Sequence, residues 1–381
     1  MADEEQQPQP PVPAWPPPYQ GYPPPPYPGY APPPHQGYQP YPAYAAYPVQ
    51  PTKPSFPHDR PRPYHQILRN WDYAAWRSVV GILLVVLGFL VIAPIIALPV
   101  LFIGIMIEGG DFLNSLEAFG RLEEITPSSM LYLNVTLGSA ILVTWVAIRV
   151  LHGMRPRWLA SVAPKLRWNF LMACLGVSVV ALIASILVSL LIPTSAGDAD
   201  LNGTLNDFTA TSAWIALIVL LTTPFQAAGE EYVFRGYLLQ AIGSFVDRDG
   251  WKWVAIIITS LLFAMAHGLQ NFPLFFDRFM FGMIAGWLTI RTGGLEAGIA
   301  MHILNNYLAF GFALAFGDLS ESLSVSEVSW WNILVTLTQA LVYAGLVVVV
   351  ARAMKVQRTT RPPAPAAPPP PVPAPAAGFG G

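Results

Sequence analysis

The sequence predicts an all-α fold: a polytopic membrane helix bundle of about eight transmembrane helices, flanked by disordered Pro-rich tails. Three observations predict it. Of 381 residues, 54% are hydrophobic and only 11% are charged, against roughly 25% charged in a soluble domain. The apolar residues gather in eight runs, and roughly 20 such residues suffice to cross a bilayer. The charges between the runs alternate in sign from loop to loop, as the positive-inside rule requires.

Taken in order, residues 1–64 are dominated by Pro, Tyr, Gln, Gly and Ala, as in "YQGYPPPPYPGY". Such composition cannot bury a core and is expected to be disordered with polyproline II character. The start, "MADEEQQPQPPVP", is acidic and has no apolar h-region, so a cleaved signal peptide is not expected. Residues 65–355 form the membrane domain, with spans expected at 79–107, 130–151, 169–192, 213–242, 253–269, 275–291, 294–316 and 330–353. The fifth and sixth are marginal in length. The first and fourth are long and contain Pro94, Pro99 and Pro224, which are expected to kink them. A second tail, 356–381, repeats the Pro/Ala-rich composition of the first. A tether role for the tails competes with the plainer reading of solvated extensions without a partner.

Charge sets the expected orientation. With the N-terminus cytoplasmic, the inside segments hold Arg60, Arg62, Arg69 and Arg77, then Arg155, Arg157, Lys165 and Arg167, and the basic residues after the last span. The outside loops hold Glu108, Asp111, Glu117 and Glu123, later Asp198, Asp200 and Asp207, and finally Asp318, Glu321 and Glu327. A multi-pass protein of the cell membrane with both termini cytoplasmic satisfies this pattern. No basic patch large enough for nucleic acid is present. Cys174 is the only cysteine, which excludes disulfides within the chain and cysteine-based metal clusters.

Ionisable residues inside spans are rare and are functional candidates by default. The first three spans contain almost none, whereas the fourth to seventh contain several. "AAGEEYVFRGYLL" places Glu230, Glu231 and Arg235 in the fourth span. Glu231 and Arg235 are four residues apart and share a helix face, so they can pair. Glu230 is rotated by about 100°. One glutamate is then neutralised and the other is free for chemistry. Spacing alone does not assign which, though the i,i+4 relation favours Glu230 as the free one. "FAMAHG" ends the fifth span with Phe263 and His267, and "MHILNNY" brings His302, Asn305 and Asn306 in the seventh. His302 and Asn306 are four apart and can serve one cavity as donors to an oxyanion. Each feature has a bland counterpart: a Glu–Arg tie between helices, a histidine at a helix end, asparagines as interhelical glue. Three on separate spans in one part of the chain are less readily incidental.

Together "EEYVFR", "FAMAH" and "HILNN" fit Glu-Glu-x-x-x-Arg, Phe-x-x-x-His and His-x-x-x-Asn in order. The set resembles the three motifs of the CAAX protease and bacteriocin-processing (CPBP, Abi) family of intramembrane endopeptidases, over about residues 210–315. The resemblance implies that Glu230 activates the attacking water, that His267 positions it, and that His302 and Asn306 stabilise the oxyanion. Glu231 and Arg235 would support the site and Phe263 would pack within it, with Asn305 near the same face. It implies a membrane-embedded or lipid-anchored protein or peptide as substrate. A zinc site from Glu230, His267 and His302 is the metal-dependent alternative, since catalytic zinc takes three protein ligands. No His-Glu-x-x-His helix is present, and the metal-free reading, with no cofactor, is preferred. A cavity opening toward the cytoplasm is expected. Non-catalytic scaffold or adaptor, and proton-coupled transporter, are the rival functions, although no internal repeat of the transporter kind is visible.

Overall fold

The computed structural model describes residues 56–192 and 204–362. The expected tails fall largely outside these residues. Every regular element among them is helical, apart from two isolated bridges. The long helices are α1 (Ala75–Glu108), α3 (Pro127–His152), α4 (Trp168–Ser189), α5 (Ala210–Gly243), α8 (Glu296–Phe316) and α10 (Asn332–Ala353). These six are long and apolar enough to cross a membrane. Two more helices occupy the fifth and sixth expected spans: α6 (Trp251–Met265) and α7 (Phe272–Thr292). Short helices α2 (Phe112–Gly120) and α9 (Leu319–Ser324) lie in connections. The helices thus fall where the apolar runs predict, but two differ from the full spans expected. At 15 residues α6 is about 22 Å long, short of the roughly 30 Å hydrocarbon core, and α7 carries Asp277, Arg278 and Arg291.

The prolines leave their helices continuous. In α1 a π-helical turn at Gly88–Ile92 precedes Pro94 and widens the backbone where its ring would press on the carbonyl of Leu90. In α5, Pro224 cannot donate to the Leu220 carbonyl, and the Tyr307 hydroxyl donates to it instead at 2.6 Å. A side chain from α8 thereby restores the lost bond, which apolar surroundings require.

Helices α3 and α5 form the tightest pair. Gly229 lies so close to the Leu137 carbonyl that a Cβ there would collide with backbone, the close approach that small residues give membrane helices. Asn134 adds a hydrogen bond to Thr222 at 2.7 Å. On the other side, α4 packs against α8 and α10. Arg167, just before α4, holds the fully buried Glu296 at the start of α8 through its backbone N–H (2.9 Å) and its Nη2 (2.5 Å). Outward faces remain apolar, with Leu83, Ile96, Leu187 and Leu341 exposed as lipid contact demands.

The inner ends of the two tails are folded, which moves both boundaries drawn from composition. Residues 56–68 pack under one end of the bundle, with Tyr64, Ile67 and Leu68 fully buried. Residues 359 and 360 pair with 62 and 63, where Arg62 N–H meets Thr360 Oγ1 at 2.9 Å and Thr360 N–H meets the Arg62 carbonyl at 2.9 Å. Arg60, Arg62 and Arg69 converge on Asp247, which follows α5. Composition missed this because a few buried residues, Tyr64 and Thr360 among them, outweigh the prolines around them.

Candidate active site

Helix α5 supplies the first half of the site. Glu231 and Arg235 are both fully buried, and Arg235 Nη1 donates to Glu231 Oε1 at 2.7 Å. The pairing expected from their spacing is therefore present. A π-helical turn, Tyr232–Leu238, begins directly after Glu231 and contains Arg235. Such turns concentrate at functional sites because they redirect side chains from the regular helical face. Arg235 makes no other hydrogen bond: its Nε and Nη2 have no partner among the described residues. Instead its guanidinium lies over aromatic rings, 4.2 Å from the Phe263 centroid and 5.3 Å from that of Phe281. With the Phe234 ring 6.0 Å away as well, the cation is held by one carboxylate and three aromatic rings.

Helix α8 brings the second half. His302 Nδ1 lies 3.0 Å from the same Glu231 Oε1. Facing a carboxylate, Nδ1 carries the proton, and the remaining nitrogen, Nε2, has a lone pair in the neutral ring. That Nε2 sits 3.9 Å from Glu230 Oε2, too far for a direct hydrogen bond but within reach of one bridging water. One turn earlier, Gly298 makes room for Glu231, since a Cβ there would meet Oε2 at 2.6 Å. Phe263 and Phe281 stack at 5.4 Å and close the site between Arg235 and His302.

Glu230 is only 6% exposed, yet it takes no part in the arginine pair. Its Oε1 accepts from Gln226 Nε2 at 2.5 Å, and Gln226 Oε1 in turn accepts from Asn306 at 2.7 Å. Asn305 takes no part in this relay and instead accepts from Gln339 of α10 at 2.6 Å. His267 lies just beyond α6, its Nδ1–H donating to the Phe263 carbonyl at 2.8 Å. That bond fixes the proton on Nδ1 and leaves Nε2 as the available nitrogen. Glu230, His267, His302, Asn305 and Asn306 all line one cavity of about 1830 Å³, whereas Glu231 and Arg235 lie behind its wall.

Sequence reasoning missed Gln226, Phe281 and Gln339. Gln226 was detectable: it is a lone amide in an apolar run, one turn before Glu230. Phe281 and Gln339 gave no signal, because their partners lie on other helices.

The cavity reaches the surface along Asp318, Glu321 and Ser324–Val328, all on the side of the acidic connections. The opposite, basic end is filled by the buried residues 64–68 and 237–242. This corrects the expected opening toward the basic side. Helix α6 explains it: the helix stops short, so Ala266 and His267, just past its end, line the cavity. Non-helical backbone at membrane depth is tolerated in such a place. The depth mismatch between His267 and His302 that full-length spans would create is thereby removed.

A zinc ion would need three ligand atoms gathered around one point. Among the described residues, no three of His, Cys, Asp or Glu are grouped to hold one, so Glu230, His267 and His302 do not present that set as they stand.

Fold and site together define a multi-pass membrane protein whose bundle encloses a polar, ionisable cavity. Residues 211–308 match the Rce1-like family, the type II CAAX prenyl endopeptidases, and the resemblance carried by the three motifs holds over that segment. A Bacillus subtilis (strain 168) protein described as "Uncharacterized protein YyaK" is 26% identical over 144 residues, covering 35% of this chain and 47% of that protein. An Escherichia coli "Uncharacterized 24.3 kDa protein" is 37% identical over 91 residues, 23% of this chain and 41% of that protein. The chain thus spans less than half the length of these relatives. No solved structure matches it.

Proposed function

We propose that the protein is an intramembrane endopeptidase that hydrolyses a peptide bond of a membrane-embedded or lipid-anchored protein or peptide. One observation carries the reading: Glu230 is buried outside the Glu231–Arg235 pair and faces His302 Nε2 across 3.9 Å in the cavity. The match of residues 211–308 to prenyl endopeptidases supports it.

In the reaction, a water held between Glu230 Oε2 and His302 Nε2 gives a proton to the carboxylate as its oxygen attacks the scissile carbonyl carbon. The C–O bond forms and the carbonyl pair moves onto oxygen. Asn306 has a second amide hydrogen beyond the one given to Gln226, and it stabilises that oxyanion. His302 joins it when the proton taken by Glu230 passes on to Nε2, from which the leaving amine later receives it, with the Glu231 carboxylate bracing the ring through Nδ1. His267 Nε2 helps hold the water. Collapse breaks the C–N bond, and the leaving amine takes the proton. Every group used belongs to the chain.

The basic end of the bundle faces the cytoplasm in this reading, so the mouth of the cavity faces away from it. The substrate is a peptide or membrane protein, as the apolar bundle around the cavity suits. Replacement of Glu230 by Gln removes the base while keeping the hydrogen bond to Gln226. Membranes from cells carrying Glu230→Gln should accumulate one uncleaved precursor, detectable by comparative proteomics, while the protein inserts normally. Cleavage retained by this variant would sink the assignment, and a phenotype rescued by it would favour a scaffold.

A further inference from the structure

Arg278, on the second turn of α7, is a half-buried cation that lines the cavity and plays no part in the reaction above. Its Nη1 donates to Gln270 Oε1 at 2.8 Å and to the His267 carbonyl at 3.4 Å. Its Nε and Nη2 make no hydrogen bond among the described residues, and none of its nitrogens lies within 4 Å of a carboxylate. The adjacent Asp277, which also lines the cavity, accepts from Thr336 of α10. The guanidinium is therefore held through one nitrogen, with its other edge unbonded, in a cavity lined by both polar and apolar residues. Glu230 lines the same cavity.

We infer that Arg278 is a carboxylate-binding subsite, which holds an anionic group of the substrate while Glu230 attends to the scissile bond. The inference rests on the proteolytic reading. The free Nε–Nη2 edge matches a carboxylate in two parallel hydrogen bonds, the strong geometry for arginine. The mouth argues against a small free anion as the natural occupant, because Asp318, Glu321 and Glu327 line it and repel one. The anion is carried in by a peptide whose apolar body enters the cavity with it. A free C-terminus and an acidic side chain offer the same chemistry.

The test uses the full chain in phosphatidylcholine nanodiscs, with Glu230→Gln to prevent turnover. Three pools of synthetic apolar peptides are offered: free-acid C-termini, C-terminal amides, and amides with one internal Asp or Glu. Peptides retained at equilibrium are counted by mass spectrometry. At least about tenfold retention of an acidic pool over the neutral amides is expected, about 1.4 kcal/mol. Whichever acidic pool is retained identifies the source. The preference should vanish in Arg278→Gln, which can still donate to Gln270, and persist in weakened form in Arg278→Lys. Thermal unfolding of both variants checks the fold, and the comparison of pools on intact Arg278 stands without them. Equal retention of acidic and neutral pools, retention of none, or an acid preference unchanged in Arg278→Gln would each overturn the subsite. Cleavage by the protein with Glu230 intact is scored separately. Acid-selective binding without cleavage sinks the protease reading alone, and cleavage without acid preference sinks the subsite alone.

Discussion

Replacing Arg235 by Met isolates what holds the site together. Arg235 and Glu231 are both fully buried, so neither charge has water to fall back on. Removing the cation leaves Glu231 with a buried Oε2 that already lacks a hydrogen bond and only His302 on Oε1. Breaking a buried pair from one side costs about 3–5 kcal/mol. The lost ring contacts at 4.2 and 5.3 Å add up to about 2 kcal/mol, of which methionine recovers a share through sulfur–aromatic contact. About 4 kcal/mol of destabilisation is expected, roughly a thousandfold in the unfolding equilibrium. The double variant Glu231→Gln/Arg235→Met removes both charges, so it should return to within about 2 kcal/mol of the parent. Reversible SDS titration in mixed micelles, followed by tryptophan fluorescence, measures each difference. The double variant should nevertheless remain inactive, because His302 loses the carboxylate charge that supports its ring when a proton reaches Nε2. A single variant within 1 kcal/mol of the parent (by the same arithmetic), or a double variant as unstable as the single, would refute the reasoning.

Three further outcomes are expected. Gln226→Leu removes both the 2.5 Å bond to Glu230 and the 2.7 Å bond from Asn306, so precursor cleavage should slow by about a hundredfold through misplacement of the base, with the protein still folded; a rate within threefold of the parent would exclude Gln226 as a positioning residue (a threefold change is roughly 0.65 kcal/mol). Burial holds the His58 and His65 imidazoles down at about 4, so the folded state keeps them neutral where the unfolded chain binds a proton. Stability is then complete above about 6.5 and falls as pH drops toward 4, by about 1.4 kcal/mol per pH unit for each histidine; SDS titrations across that range on the parent and on His65→Phe should show the slope reduced in the variant. Orientation is read by labelling, with the buried Cys174 as a silent background: Ser324→Cys should react with an impermeant maleimide added to intact cells, and Arg358→Cys only after permeabilisation. The reverse pattern would invert the proposed topology.

Much of the bundle was legible because lipid imposes a simple condition. Apolar runs long enough to span must be helices, and each of the eight runs is one. The Glu231–Arg235 pair was legible for a local reason, since both residues lie on one helix within a turn. What the sequence concealed depends on contacts between elements. Nothing in "FAMAHGLQNF" says that α6 ends at Met265 and that the following backbone turns into a cavity. Nothing local says that Tyr307 repairs the gap left by Pro224, or that Phe281 stacks on Phe263. The tail boundaries were misplaced for a related reason: composition averages over residues, whereas Tyr64 and Thr360 are buried one at a time by partners far along the chain.

The short α6 also links the scaffold to the proposed chemistry. A helix of full length would carry His267 to the membrane surface, away from Glu230 and His302, and would fill the space that the cavity occupies. Ending the helix early leaves backbone groups from Ala266 to Asn271 that need partners in place of helical ones. The structure supplies them: Gln270 donates to the Ala264 carbonyl at 2.6 Å, Asn271 N–H meets the Ser326 carbonyl at 2.7 Å, and Arg278 caps the His267 carbonyl. Arg278 therefore has two consequences from one position, fixing the turn that presents His267 and leaving its free edge toward the cavity. Loss of the turn and loss of the anion contact are separable, because Arg278→Lys keeps the charge in the cavity while giving up the planar fork.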